Sequence, residues 1–186
     1  MLRATLHRTL TFSVWVVLII GSACLARAAD TEHFSLESSG ARFAFGATHA
    51  SRGFRAGEAF LNCNLPVAWE PGPHSLVTIR MDFSAGWLGR DGENASMATV
   101  GPTFVYQYRG VPLSLEGGSS STVLSPHSFA DVDLGGPFQF TTHAGLNWNI
   151  TRRVRVGYRY QHTSNAGLVN HNPGLNLHSF GLSYVF

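Results

Sequence analysis

Residues 153–161 read Arg153-Val154-Arg155-Val156-Gly157-Tyr158-Arg159-Tyr160-Gln161. Successive side chains of an extended chain point to opposite faces. Val154, Val156, Tyr158 and Tyr160 therefore share one face, and Arg153, Arg155, Gly157 and Arg159 share the other. A dry sandwich core has no place for three arginines, because each buried charge needs a partner and further hydrogen bonds. The interior of a small barrel does: there Asp82 or Glu116 can pair with the arginines while the valines and tyrosines meet lipid and its interface. The segment separates a membrane barrel from a soluble sandwich or a lipocalin-like barrel, and favours the first.

The same alternation runs through the chain from about Arg42 onward, and no 3.6-residue stripe follows the leader. Val77, Ile79, Met81 and Phe83 oppose Thr78, Arg80 and Asp82; Phe138, Phe140, Ala144, Leu146 and Trp148 oppose Gln139, Thr141, His143, Asn147 and Asn149. Eight such runs are expected, at about 41–49, 59–69, 75–86, 98–108, 111–117, 137–149, 153–163 and 176–186. The expected fold is an all-β, eight-stranded antiparallel up-and-down transmembrane β-barrel. Connections at 50–58, 87–97, 118–136 and 164–175 read as long, and those at 70–74, 109–110 and 150–152 as short. Long and short connections thus fall at opposite ends, as external loops and periplasmic turns do.

Composition agrees. The 186 residues contain 20 glycines and 12% aromatics but only 13% charged residues, which excludes a disordered chain, a coiled coil and a charged helical bundle. All 13 basic residues are arginine, and three of them (Arg3, Arg8, Arg27) precede every acidic residue. Removing that stretch leaves ten arginines against 11 acidic residues, so the basic balance of the full sequence gives no licence for a nucleic-acid reading.

The first 29 residues read as a secretory signal peptide, with residues 30–186 forming the barrel domain. Arg3, His7 and Arg8 make a basic start, Leu10 to Ile20 an apolar run, and Ala26-Arg27-Ala28 a small-residue cleavage site. The run is shorter than the ~20 apolar residues that span a bilayer. Cys24 lacks the bulky aliphatic residue three positions before it that lipidation needs. Cys63 is then the single cysteine left, and no internal disulfide is expected.

Two strand ends carry chemistry. His162 and Ser164 continue the even register of Tyr158 and Tyr160, and Asn176 and His178 continue that of Phe180, Leu182 and Tyr184. All four are expected on the outer face, in one patch, on adjacent strands. With both termini periplasmic, this patch lies near the outer-leaflet boundary. Ser and His two apart on one face are about 6–7 Å apart at Cα, close enough for suitable rotamers to bring hydroxyl to imidazole, as a base-activated serine requires. An ordinary polar rim has the same spacing.

Over residues 162–176, His162-Thr163-Ser164-Asn165-Ala166-Gly167 with Asn172 and Gly174 in the loop beyond, the chain resembles the lipid A 3-O-deacylase family, eight-stranded outer-membrane esterases whose active site faces lipid. The resemblance implies Ser164 as nucleophile, His162 as base, and Asn165, Gly167 or Asn172 in the oxyanion hole or the loop geometry. It implies no cofactor, and lipid A or lipopolysaccharide of the outer leaflet as substrate. One position departs: fourteen residues after the histidine, where the family has glutamate, stands Asn176. An asparagine carbonyl orients the ring without offsetting imidazolium charge, so Glu116, Asp131 and Asp133 are alternative acids, and a non-catalytic barrel, surface-structural or a narrow pore, is the alternative function.

Phe180, Leu182, Tyr184 and a terminal Phe186 resemble the C-terminal strand by which Gram-negative outer-membrane proteins engage the barrel-assembly machinery. Nine histidines invite a metal, but His143, His162, His171 and His178 lack compact ligand spacing. The sequons at Asn94 and Asn149 are chance matches in a bacterial outer membrane. Gly117-Gly118-Ser119-Ser120-Ser121 reads as a flexible external loop.

Overall fold

The computed structural model describes residues 35–129 and 131–186. The expected leader and Cys24 lie outside the described residues. Eight antiparallel strands close a barrel in the order β1-β10-β9-β8-β5-β4-β3-β2. They are β1 (Ser35–Gly46), β2 (Arg55–Gly72), β3 (Ser75–Arg90), β4 (Glu93–Tyr108), β5 (Leu113–Ser125), β8 (Phe138–Asn149), β9 (Val154–Ser164) and β10 (Leu175–Val185). A small hairpin, β6 (Ser128–Phe129) with β7 (Val132–Asp133), lies in the β5–β8 connection. Closure is by β1 and β10, in register from Ser38↔Val185 to Gly46↔Leu177.

Period-2 patterning holds around the barrel, with the apolar side outward. Phe43, Phe104, Leu115, Leu146, Trp148, Phe180, Leu182 and Tyr184 are exposed, whereas Arg42, Glu58, Arg80, Asp82, Glu116, Arg155 and Arg159 are buried in the lumen. The arginines are paired as their register requires. Arg159 binds Asp82 at 2.6 Å and also Glu116; Arg80 binds Glu116; Arg42 binds Asp82 at 3.2 Å; Arg155 binds Glu37 at 2.5 Å. Serine and threonine hydroxyls fill the next layer, Thr122 to Thr141 at 2.7 Å and Thr141 to Thr163 at 2.8 Å. Cavities in the lumen, such as those of about 20 and 10 Å³ beside Arg42 and Arg159, have room for little more than single waters.

Toward the loop end, the lumen becomes apolar. Ala44, Ala56, Leu88, Met97, Leu124, Leu175 and Leu177 from the strands meet Phe54, Phe129 and Leu134 from the loops in one buried cluster. The β6–β7 hairpin thus stoppers the barrel mouth.

Three expectations need correction. Arg153 is exposed in the β9 turn, 5.9 Å from the Tyr184 ring, so two arginines of that strand rather than three face the lumen. The connection expected at 87–97 is the tight turn Asp91-Gly92, both at positive φ (52° and 88°), because Asp-Gly suits a hairpin turn of the primed type. Gly117–Ser121 is strand, not loop: it pairs with β8 from Gly117↔Ala144 to Ser121↔Phe140, and Ser120 is buried in the lumen. Long connections nevertheless gather at one end, at 47–54, 126–137 and 165–174, and short ones at the other, at 73–74, 109–112 and 150–153.

Candidate active site

The last residues of β9 and the first of β10 present the predicted patch on the outer wall. Thr163, Gln161 and Leu175, Leu177 are buried inward, while His162 is exposed and Ser164, Asn176 and His178 are half-buried on the outer face. The strands pair His162 directly opposite Asn176. His162 Nδ1 is 2.9 Å from Asn176 Oδ1. With Oδ1 as acceptor, the imidazole carries its proton on Nδ1, and Nε2 keeps its lone pair.

Gly174 stands against the ring. Its φ is +66°, and a Cβ there would lie 2.9 Å from His162 Cε1, so only glycine both adopts this backbone and leaves room for the imidazole. Ser164 ends β9 two residues beyond His162. Among the described residues no hydrogen bond joins its hydroxyl to His162, as is common for such pairs before substrate binds.

Asn165 is fully buried, at 0% exposure. Its Nδ2 donates to the carbonyls of Gly135 (2.9 Å) and His171 (2.8 Å), and its Oδ1 accepts the Gly167 N–H at 2.9 Å. Its own N–H donates to Asn172 Oδ1 at 3.2 Å. Every polar atom of the Asn165 side chain is thus committed to loop geometry, as is the Gly167 N–H. Asn172 Oδ1 thus serves the loop from the acceptor side, and Ala166, next to Asn165, takes a left-handed backbone at φ +52°.

The alternative acids do not reach His162. Glu116 is inside the lumen between Arg80, Arg159 and Asn147; Asp131 pairs with Arg90 at 3.3 Å; Asp133 pairs with His127 at 2.9 Å. The Gly135 N–H, first, and the His127 hydrogen bond hold the Asp133 carboxyl below the usual carboxylate range. The histidines weighed for a metal are dispersed: His143 faces the lumen beside Thr103, and His178 meets the Tyr158 hydroxyl at 2.9 Å.

Three residues that hold the patch carry little sequence signal. Gly174 sits in a recognisable Asn-Pro-Gly turn, but nothing in that turn announces a ring contact. Gly135 and Ser51, far along the chain, touch Asn165 and Asn176 only through the fold.

Residues 57–185 match the sequence profile of the family described as Lipid A 3-O-deacylase (PagL). The Lipid A deacylase PagL of Bordetella bronchiseptica is 32% identical over 138 residues, covering 68% of this chain and 74% of that protein. The protein of the same name from Pseudomonas aeruginosa is 30% identical over 96 residues, 50% of this chain and 56% of its own length. The crystal structure of the outer membrane enzyme PagL superposes with a TM-score of 0.66 at 22% identity, covering 80% of this chain and 98% of that one.

Proposed function

The chain belongs to the lipid A 3-O-deacylase family, and from that membership we propose that it is a serine esterase which hydrolyses an ester-linked 3-hydroxyacyl chain of lipid A. Membership makes it an outer-membrane β-barrel hydrolase acting on lipid A. The serine mechanism, the 3-O position and the sufficiency of Asn176 are the proposal's own content.

The observation that carries it is the His162–Asn176 pair on the outer wall, with Ser164 next on the same face. A polar group turned toward lipid is costly unless used. Ser164 Oγ attacks the ester carbonyl, and His162 Nε2 takes the hydroxyl proton as the Oγ–C bond forms. The proton passes to the departing sugar oxygen as the C–O bond breaks, leaving an acyl-serine. Water then attacks this ester, giving its proton to His162, which returns it to Ser164 and frees the fatty acid. Asn176 orients the ring, and backbone N–H groups of the loop after Ser164 or Asn172 stabilise the oxyanion. The chemistry needs no cofactor. Residues 1–29 serve as the export signal, and the strand ending at Phe186 as the assembly signal.

The test is mass spectrometry of lipid A from cells expressing the native sequence beside cells expressing Ser164→Ala. Loss of one 3-hydroxyacyl chain with the native sequence alone supports the deacylase. Unchanged lipid A, with the barrel confirmed in the outer membrane, overturns it. The missing carboxylate at position 176 is what favours the second reading, a barrel that retains the motif without activity; recovery of deacylation by Asn176→Glu alone would establish that reading.

A further inference from the structure

Asn176 lies one residue beyond the end of the β1–β10 ladder, whose last pair is Gly46↔Leu177. Toward β1 its main-chain groups therefore have no strand partner, and a half-buried backbone amide without one is unfavourable. The β1–β2 loop, residues 47–54, supplies both. The Asn176 N–H donates to Ser51 Oγ at 2.9 Å, and the Asn176 carbonyl accepts the Ala47 N–H at 2.9 Å.

Ser51 is itself held firmly. It has 0% exposure, and its hydroxyl accepts a hydrogen bond from Thr48 Oγ1 at 3.1 Å. Its N–H donates to the Thr48 carbonyl at 3.1 Å, and its carbonyl accepts the Phe54 N–H at 3.2 Å. Phe54 is anchored in the apolar stopper, edge-on to Phe129. A continuous set of contacts thus runs from the barrel mouth through Ser51 to the backbone that carries the Asn176 side chain.

We infer that Ser51 is a positioning residue for the reaction, acting through the Asn176 main chain to keep Oδ1 on His162 Nδ1. The inference rests on the serine-esterase reading above. An asparagine has no charge to pull the imidazole into place, so its geometry must come from the backbone, and Ser51 holds that backbone from the far side. The Ser51 backbone itself packs against Gly46, whose added Cβ would lie 1.9 Å from the Ser51 carbonyl oxygen.

The experiment uses the folded full barrel in detergent micelles with purified lipid A, and compares native, Ser51→Ala, Ser51→Thr, Asn176→Ala and the Ser51→Ala/Asn176→Ala double variant, with Ser164→Ala as blank. Ser51→Ala should lower kcat by about ten- to a hundredfold at unchanged KM, and Ser51→Thr should recover most of it. In the Asn176→Ala background the Ser51 change should have no further effect, because its route passes through Asn176. A native kcat in Ser51→Ala, a loss confined to KM, or losses that multiply in the double variant would each overturn the inference. If the native protein shows no turnover above the blank, the esterase reading has failed, and ¹⁵N spectra of the His162 ring decide the inference separately. Ser51→Ala must then deplete the Nδ1–H tautomer; an unchanged tautomer population overturns it.

Discussion

Asn176 lies directly opposite His162 in the β9–β10 ladder, with its Oδ1 2.9 Å from His162 Nδ1. A cross-strand pair on the barrel wall thereby sets the imidazole. The amide can also present Nδ2 to the same nitrogen, which selects the opposite tautomer and leaves Nε2 protonated and unable to act as base. A carboxylate has no such alternative.

Asn176→Asp keeps the oxygen in place and removes that choice. We expect kcat to rise by roughly ten- to a thousandfold, against a ceiling of about 10⁴ from the aspartate-to-asparagine exchange in serine proteases. Steady-state kinetics of lipid A hydrolysis by the two proteins check this.

Gly174→Ala should act on the other side of the ring. A Cβ 2.9 Å from His162 Cε1, on a backbone at φ +66°, forces the imidazole or the loop to move. Activity should fall by about tenfold or more, while the barrel loses only about 1–2 kcal/mol. Kinetics beside the gel mobility of unheated protein separate the two effects.

Asn165 joins the loop after Ser164 to the β5–β8 connection. Asn165→Ala leaves the Gly135 and His171 carbonyls and the Gly167 N–H without their partner, about 1–3 kcal/mol for each group that stays buried. Residues 165–174 should become protease-sensitive and activity should be lost with them. Gly135→Ala should reproduce this, because its Cβ would lie 1.9 Å from the His171 carbonyl oxygen. Limited proteolysis of folded barrels, read by mass spectrometry, is the check.

Arg159 contributes to stability and not to the site. It binds both Asp82 and Glu116 inside the lumen, so Arg159→Met leaves each carboxylate with one partner fewer. The expected loss is about 3–5 kcal/mol, with turnover per folded molecule unchanged because the site is on the outer wall. Urea titration in micelles, followed by activity of the folded fraction, measures both.

Asp133 sets the acid limit of the β6–β7 clamp. Its carboxyl is held below the usual range by the Gly135 N–H and His127. The contribution is therefore complete above about pH 4, where an unfolded aspartate ionises, and is lost only as pH falls through the lower folded value. The Gly135 amide resonance should keep its native position from neutrality down to about pH 4 and move below it; Asp133→Asn should abolish the titration.

Read alone, the sequence determined the barrel, because strict period-2 alternation with apolar residues on one parity and arginines on the other has one economical arrangement: lipid outside, ion pairs within. Register then carried His162, Ser164, Asn176 and His178 to the outer face, since parity along a regular strand survives folding, and the motif around Ser164 named the family. Strand ends at the mouth were less legible. Gly117–Ser121 resembles a linker unless the lumen is known to be polar, and Asp91-Gly92 closes a hairpin where a long loop was expected. Only the tertiary structure decided what holds the site in place. Gly174 meets the ring within one hairpin, whereas Asn165 on Gly135 and Ser51 on the Asn176 amide join residues 30 and 125 positions apart. These last two depend on how distant segments come together at the barrel mouth, and neither hydrophobic period nor local motif encodes which distant backbone group will meet which side chain.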